Sequence, residues 1–189
     1  MTYFADNQEG IVMEQTIKQE IARSVQGLKL PHYREIPNVG LFLDQTAKYI
    51  SEFLKPLQEG ALTGSMISNY VKKGLIANPV KKQYDREQIA YLIFIAVAKS
   101  VLTLEEIQWV IQLQKLSYPP EVAYEYFCQE LENVMFYVFG LKEKLDTIGS
   151  PNHTEEKTIL RNTVIAVAHK AYLNKCLAAI SSREGEALR

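Results

Sequence analysis

Cysteine is nearly missing. The 189 residues hold two, Cys128 and Cys176, far apart and each inside an apolar helical pattern. So placed, they give neither a disulfide framework nor a CxxC redox or metal motif, and both are expected as buried, reduced side chains of a cytoplasmic protein. Long hydrophobic runs are lacking as well. The most apolar stretch, AYLIFIAVA at 90–98, is too short to span a bilayer and predicts a helix buried in protein. The first ten residues, MTYFADNQEG, lack the basic and apolar regions of a secretory signal, so no signal peptide is expected, and no membrane partner is expected either. Charge of one sign is not in excess: the net value is −1, which excludes a global pull toward nucleic acid or membrane. His32, His153 and His169 stand at no metal-ligand spacing with a cysteine. GxSxG, P-loop and HExxH patterns are missing. No metal, cofactor or catalytic residue is expected, and the chain reads as a non-enzyme.

What is present is helix. Hydrophobic residues make up 47% and charged residues 23%, enough for a real core in one domain or two small ones. Ile11, Ile17, Ile21, Val25 and Leu28 repeat on one face, predicting an amphipathic helix that ends near Gly27. After Pro31, Pro37 and Gly40, a second helix is expected over 41–54, with Leu43, Ala47, Ile50 and Leu54 inward. Thr63 and Gly74 bracket a third as N-cap and stop. A short extended piece, 77–84, follows, with at most a two-residue ladder around Val80 and Tyr84. Asp85 with Gln88, and Thr103 with Glu106, form capping-box patterns for helices 86–99 and 103–115. Pro119 and Pro120 open a long helix to about Lys144, and a last one is expected from about Glu155 to Ser181. The reading is all-α: an N-terminal amphipathic helix and linker (1–35), a helix-turn-helix unit (36–116) and a helical C-terminal lobe (117–189).

The segment LTGSMISNYVKKGLI (62–76) carries the functional signal. At about 100° per residue, Ser65, Ser68, Asn69 and Lys72 fall on one side of a helix, with Met66, Ile67, Tyr70 and Val71 opposite. Short hydrogen-bonding groups suit close approach to another molecule. Between Thr63 and Lys99, six cations (Lys72, Lys73, Lys81, Lys82, Arg86, Lys99) outnumber two carboxylates, Asp85 and Glu87. Two helices joined by a tight turn, followed by a basic extended loop, read as a helix-turn-helix with a wing. Double-stranded DNA is the expected partner. Ser65, Ser68, Asn69 and Lys72 would lie in the major groove, while Lys73, Lys81, Lys82 and Arg86 neutralise flanking phosphates. The start of helix 63–73 offers a further phosphate site.

The same residues carry a resemblance. NYVKKGLI, Tyr84, IAYLIFI and LTLEEI resemble the DNA-binding domain of the MerR family of transcription regulators. The resemblance covers roughly residues 41–115 and implies DNA binding by a short-winged helix-turn-helix. Tyr70, Gly74, Leu75 and Ile76 match the end of that family's recognition helix, Tyr84 the close of its wing, and Leu102, Leu104, Glu105, Glu106 and Ile107 the start of its fourth helix. Ser68 and Asn69 stand where that family has an arginine and an aromatic residue. The stretch from Gly74 to Tyr84 is short and has no turn glycine. The longer pattern of LFLDQ (41–45), LTGSMISNYVKKGLI, Pro79, Lys82, Tyr84 and Ala90 is similar to a bacterial family catalogued as domain of unknown function 1836. That second likeness implies relatives and no activity.

Residues 118–139 hold seven aromatics: Tyr118, Tyr124, Tyr126, Phe127, Phe136, Tyr137 and Phe139. A helical core accounts for them, and a dimer interface or an apolar ligand pocket is the sharper alternative. Trp109, beside the inward stripe of its helix, is placed to bridge the two lobes, and His169 is expected as a satisfied core histidine. The primary reading is thus a DNA-binding regulator, with a homodimer possible and any small-molecule effector unidentified. The alternatives are a protein-interaction module that uses the same basic patch on an acidic partner, and a sensor built on the aromatic lobe.

Overall fold

The computed structural model describes residues 15–57, 61–149 and 154–187. Within them the protein is helical apart from one two-stranded ladder. The first helix, α1, covers residues 15–23. It is followed by β1 (Leu41–Phe42), α2 (Leu43–Leu54), α3 (Gly64–Lys72), β2 (Gln83–Tyr84), α4 (Arg86–Ala98), α5 (Leu104–Ser117), α6 (Pro120–Val138) and α7 (Glu155–Ala187). No helix among the described residues is long and apolar enough to cross a membrane.

α4 is the axis of the packing. It is apolar on all sides and buries Ile89, Leu92, Ile93, Ile95 and Ala98, so neighbours cover it from several directions. α2 touches α4 and carries α3; α6 and α7 pack against α4 and each other on another flank, and α5 rests on α7. One hydrophobic cluster runs continuously from Ile21 to Ala168. The expected boundary between 116 and 117 falls at the end of α5. Both capping boxes form. Asp85 Oδ1 accepts the Gln88 N–H at 2.8 Å and Gln88 Oε1 accepts the Asp85 N–H at 2.9 Å. Glu106 Oε2 accepts the Thr103 N–H at 2.7 Å, while Thr103 Oγ1 accepts the Glu106 N–H at 3.2 Å.

Several boundaries differ from expectation for local reasons. α1 ends at residue 23, not near Gly27, because the Ser24 hydroxyl donates to Ile21 O at 2.6 Å and the backbone tightens to bonds three residues back. Val25 and Leu28 still reach the core from those turns. The predicted position of Ile11 lies outside the described residues. α6 stops at Val138 rather than near Lys144. Gly140, at φ +74°, leaves the helix in the left-handed region, and the Leu141 N–H closes on Phe136 O at 2.8 Å. The following loop is tied back to α6 by the buried Asn133, which accepts the Asp146 N–H and donates to Asp146 O, both at 2.9 Å. α7 is longer than expected, running to Ala187.

Two side chains sit where the sequence did not place them. Trp109 is 74% exposed and bridges nothing, since only Ile107 and Ile111 of α5 are buried. His169 is exposed on α7, one residue past the buried Ala168. His153 lies outside the described residues. Cys128 and Cys176 are free and half-buried, with the Cys128 thiol pushed up to about 12 by burial.

Candidate nucleic-acid interface

α3 is set by its two ends. Thr63 Oγ1 accepts the Met66 N–H at 3.3 Å at the start. At the other end Gly74 takes φ +75°, its N–H reaches Val71 O at 2.9 Å, and the Leu75 N–H reaches Tyr70 O at 3.0 Å. That pair of bonds is a Schellman motif, and the buried Tyr70 and Leu75 are its apolar partners. Ile67 and Tyr70 anchor the inner face, with Met66 and Val71 half-buried beside them. The outer face is then left with Ser65, Ser68, Asn69 and Lys72, all exposed.

The loop after α3 folds into a tighter device than its sequence announces. Val80 bridges Gln83, and the Gln83 N–H reaches Val80 O at 2.9 Å. On its other edge Gln83 pairs with Phe42, and Tyr84 with Leu41, so β1, β2 and Val80 make a miniature sheet. The ladder expected around Val80 and Tyr84 is reduced to the single Val80–Gln83 bridge; Tyr84 pairs instead with Leu41 of β1, a strand that the helical reading of residue 41 onward did not contain. Between Val80 and Gln83, Lys81 and Lys82 take φ +50° and +65°. Positive φ at both central residues is the mark of a type I′ hairpin turn, which favours Asn-Gly. Lysine there costs roughly 1–2 kcal/mol per residue in left-handed backbone. The missing turn glycine is thus replaced by two strained lysines held at the tip. Gly40 permits the construction, because a Cβ at that position would lie 2.7 Å from Gln83 Cβ.

Seven of the eight predicted contact residues are exposed: Ser65, Ser68, Asn69, Lys72, Lys73, Lys81 and Lys82. Lys72, Lys81 and Lys82 make no ion pair among the described residues. Lys73 instead faces Glu105 of α5 at 3.5 Å, which partly neutralises it. Ser65 shares a hydrogen bond with Thr63 at 2.9 Å. Arg86 departs from the phosphate role expected of it. Its Nε donates to Ile36 O at 2.8 Å and its Nη2 to Arg34 O at 3.2 Å, and its guanidinium lies over the Tyr33 ring at 5.8 Å. It clamps the segment before β1 onto α4. The start of α3 is also less open to an anion than expected, since Asp44 Oδ1 lies 3.5 Å from the position of a Cβ on Gly64.

Sequence reasoning missed two apolar neighbours of the lysine turn: Phe42, 50% exposed, and Val80, 72% exposed, which flank Gln83 in the miniature sheet. The signal for them was faint, because strands of one or two residues leave no alternation to read. The described residues contain no group of three or more His, Cys, Asp or Glu side chains able to hold a metal.

No curated protein and no solved structure matches the chain. The family comparison does return a match, over residues 31–127, which runs from the turn at Tyr33 through β1 and the whole lysine-bearing edge to the middle of α6. By that match, over just more than half its length, the chain belongs to the family described as Domain of unknown function (DUF1836).

Proposed function

We propose that this protein is a DNA-binding transcription regulator in which α2 and α3 act as a MerR-like helix-turn-helix and residues 80–83 as a short wing. The observation that carries the reading is the exposed stripe of Ser65, Ser68, Asn69 and Lys72 on α3, followed along the chain by two lysines fixed at a left-handed turn. Short polar side chains on α3 read base edges or sugar and phosphate in the major groove. Lys72, Lys81 and Lys82 supply the counterion-release term that dominates affinity. Strain at the tip supports the same reading, since locally unfavourable backbone gathers at functional sites. A homodimer would present two α3 helices to half-sites about one helical turn apart. The exposed Leu173, Leu177 and Ile180, at helical spacing on α7, are the surface we assign to that contact.

The test is a salt titration of binding to randomised duplex DNA, with selection of the bound sequences. Three phosphate contacts per protomer predict a slope of log K against log salt of roughly −3. The double change Lys72→Glu with Lys81→Glu is expected to abolish binding while the thermal transition persists. Binding that ignores salt and survives both changes would remove DNA as the partner.

The exposure of Phe42 and Val80 beside the lysines favours a second reading, a docking site for an acidic protein segment. That reading requires a stoichiometric protein partner lost in Phe42→Ser, with no sequence enriched from the DNA pool.

A further inference from the structure

Away from the lysine-bearing edge, α4, α5, α6 and the start of α7 line a half-open apolar pocket of about 250 Å³. Ligand sites are concave and mostly apolar with a few placed polar groups, and this space has that character. Its wall is aromatic and aliphatic, including Phe94, Phe127, Val110, Ile111 and Leu160. Most of the aromatic cluster at 118–139 therefore has two uses. Phe127 stacks edge-on against Phe94 at 5.3 Å in the core, and Tyr118, Tyr124 and Tyr126 border the open space.

One polar cluster of the wall is built on Gln114, while the Tyr126 hydroxyl turns to Glu130. Tyr91 Oη donates to Gln114 Oε1 at 2.9 Å, and Gln114 Nε2 donates to Tyr118 O at 2.6 Å. A side-chain amide has two donors and two acceptor lone pairs, so Gln114 retains one of each after these bonds. Glu156 is occupied by the Ser117 hydroxyl, and the Lys157 ammonium lies over the Tyr126 ring at 5.6 Å. A cavity of about 150 Å³ lined by aliphatic and aromatic side chains stays dry and takes a benzene ring. The larger space here fits roughly two fused rings.

We propose that this pocket is a binding site for a neutral, flat apolar molecule of two-ring size that carries one hydrogen-bonding group, read by Gln114. The site and the lysine-bearing edge share α5. The same helix that supplies Val110 to Gln114 holds Glu105 against Lys73 and donates from Gln108 Nε2 to Gly74 O at 3.4 Å. The binding itself does not depend on the DNA reading.

The experiment titrates 2-naphthol and naphthalene into the full-length protein, followed by calorimetry. Saturable one-to-one binding of 2-naphthol is expected, with naphthalene at least about three-fold weaker, as befits one modest hydrogen bond. Ala123→Phe and Leu160→Trp fill the pocket from α6 and from α7. Each is expected to weaken 2-naphthol at least ten-fold while the cooperative thermal transition stays or rises, and if one variant fails to fold the other decides. Gln114→Leu is expected to erase the difference between the two probes. Absence of saturable binding to the wild-type protein, or undiminished binding in a folded pocket-filling variant, overturns the site. A preference for 2-naphthol kept in Gln114→Leu overturns the role of Gln114.

Discussion

Lys81 and Lys82 hold the sharpest test of the protein's use, because stability and function pull in opposite directions there. Both residues occupy backbone that asparagine and glycine adopt more easily. Replacing them with Asn and Gly relieves strain, so Lys81→Asn with Lys82→Gly is expected to raise the unfolding free energy by about 1–2 kcal/mol in denaturant titration. The same change removes two cations and should lower DNA affinity at low salt. A variant that gains no stability would mean that the turn is not strained. Arg86 is expected to behave the other way. It spends its guanidinium on the carbonyls of Arg34 and Ile36, so Arg86→Ala should cost about 1–2 kcal/mol of stability and leave DNA affinity little changed. The exposed stripe on α3 was legible in the sequence, because helical spacing alone sorts Ser65, Ser68, Asn69 and Lys72 from Ile67 and Tyr70. The role of Arg86 was not, because its acceptors lie about fifty residues earlier in the chain.

At the level of the elements, helix ends were legible at the marked capping residues, though not at Ser24, whose hydroxyl ends α1 early. Thr63, Asp85, Thr103 and Gly74 act as their types imply. The end of α6 at Val138 was not legible, although Gly140 turns the chain left-handed there and the Leu141 N–H closes on Phe136 O; the tie of the following loop to Asn133 was not legible either. The docking of the segment between α1 and β1 was not legible either. It docks on α6 through Glu125, whose Oε1 accepts the Tyr33 N–H at 2.6 Å and whose Oε2 lies 3.0 Å from His32 Nδ1. The hydrogen bond to Glu125, then its charge and that of Glu35, hold the His32 imidazole above its ordinary value of 6.5. A histidine raised on folding adds stability that is complete below its unfolded value and is lost as pH rises through its folded one. Docking of this segment should therefore loosen from just above pH 6.5 upward, and His32→Gln should remove that dependence. Hydrogen exchange of the Tyr33 and Ile36 amides against pH measures it, and a flat profile in the wild-type protein would refute the coupling.

For the molecule entire, the last expectation concerns assembly. Leu173, Leu177 and Ile180 are exposed at helical spacing on α7, and light scattering should report a dimer that Leu177→Glu returns to monomer. A wild-type monomer at micromolar concentration would remove that surface as the contact. The all-α class, the central place of α4 and the polar edge of α3 followed from the residues in order, since periodicity, caps and charge act over one or two helical turns. The ladder between β1 and β2, the clamp of Arg86, the exposure of Trp109 and the pocket around Gln114 did not follow. Each depends on groups from elements far apart in the chain, and only packing around α4 sets the distances between them. Local chemistry chose the helices; burial of a helix apolar on every side chose which surfaces remained open.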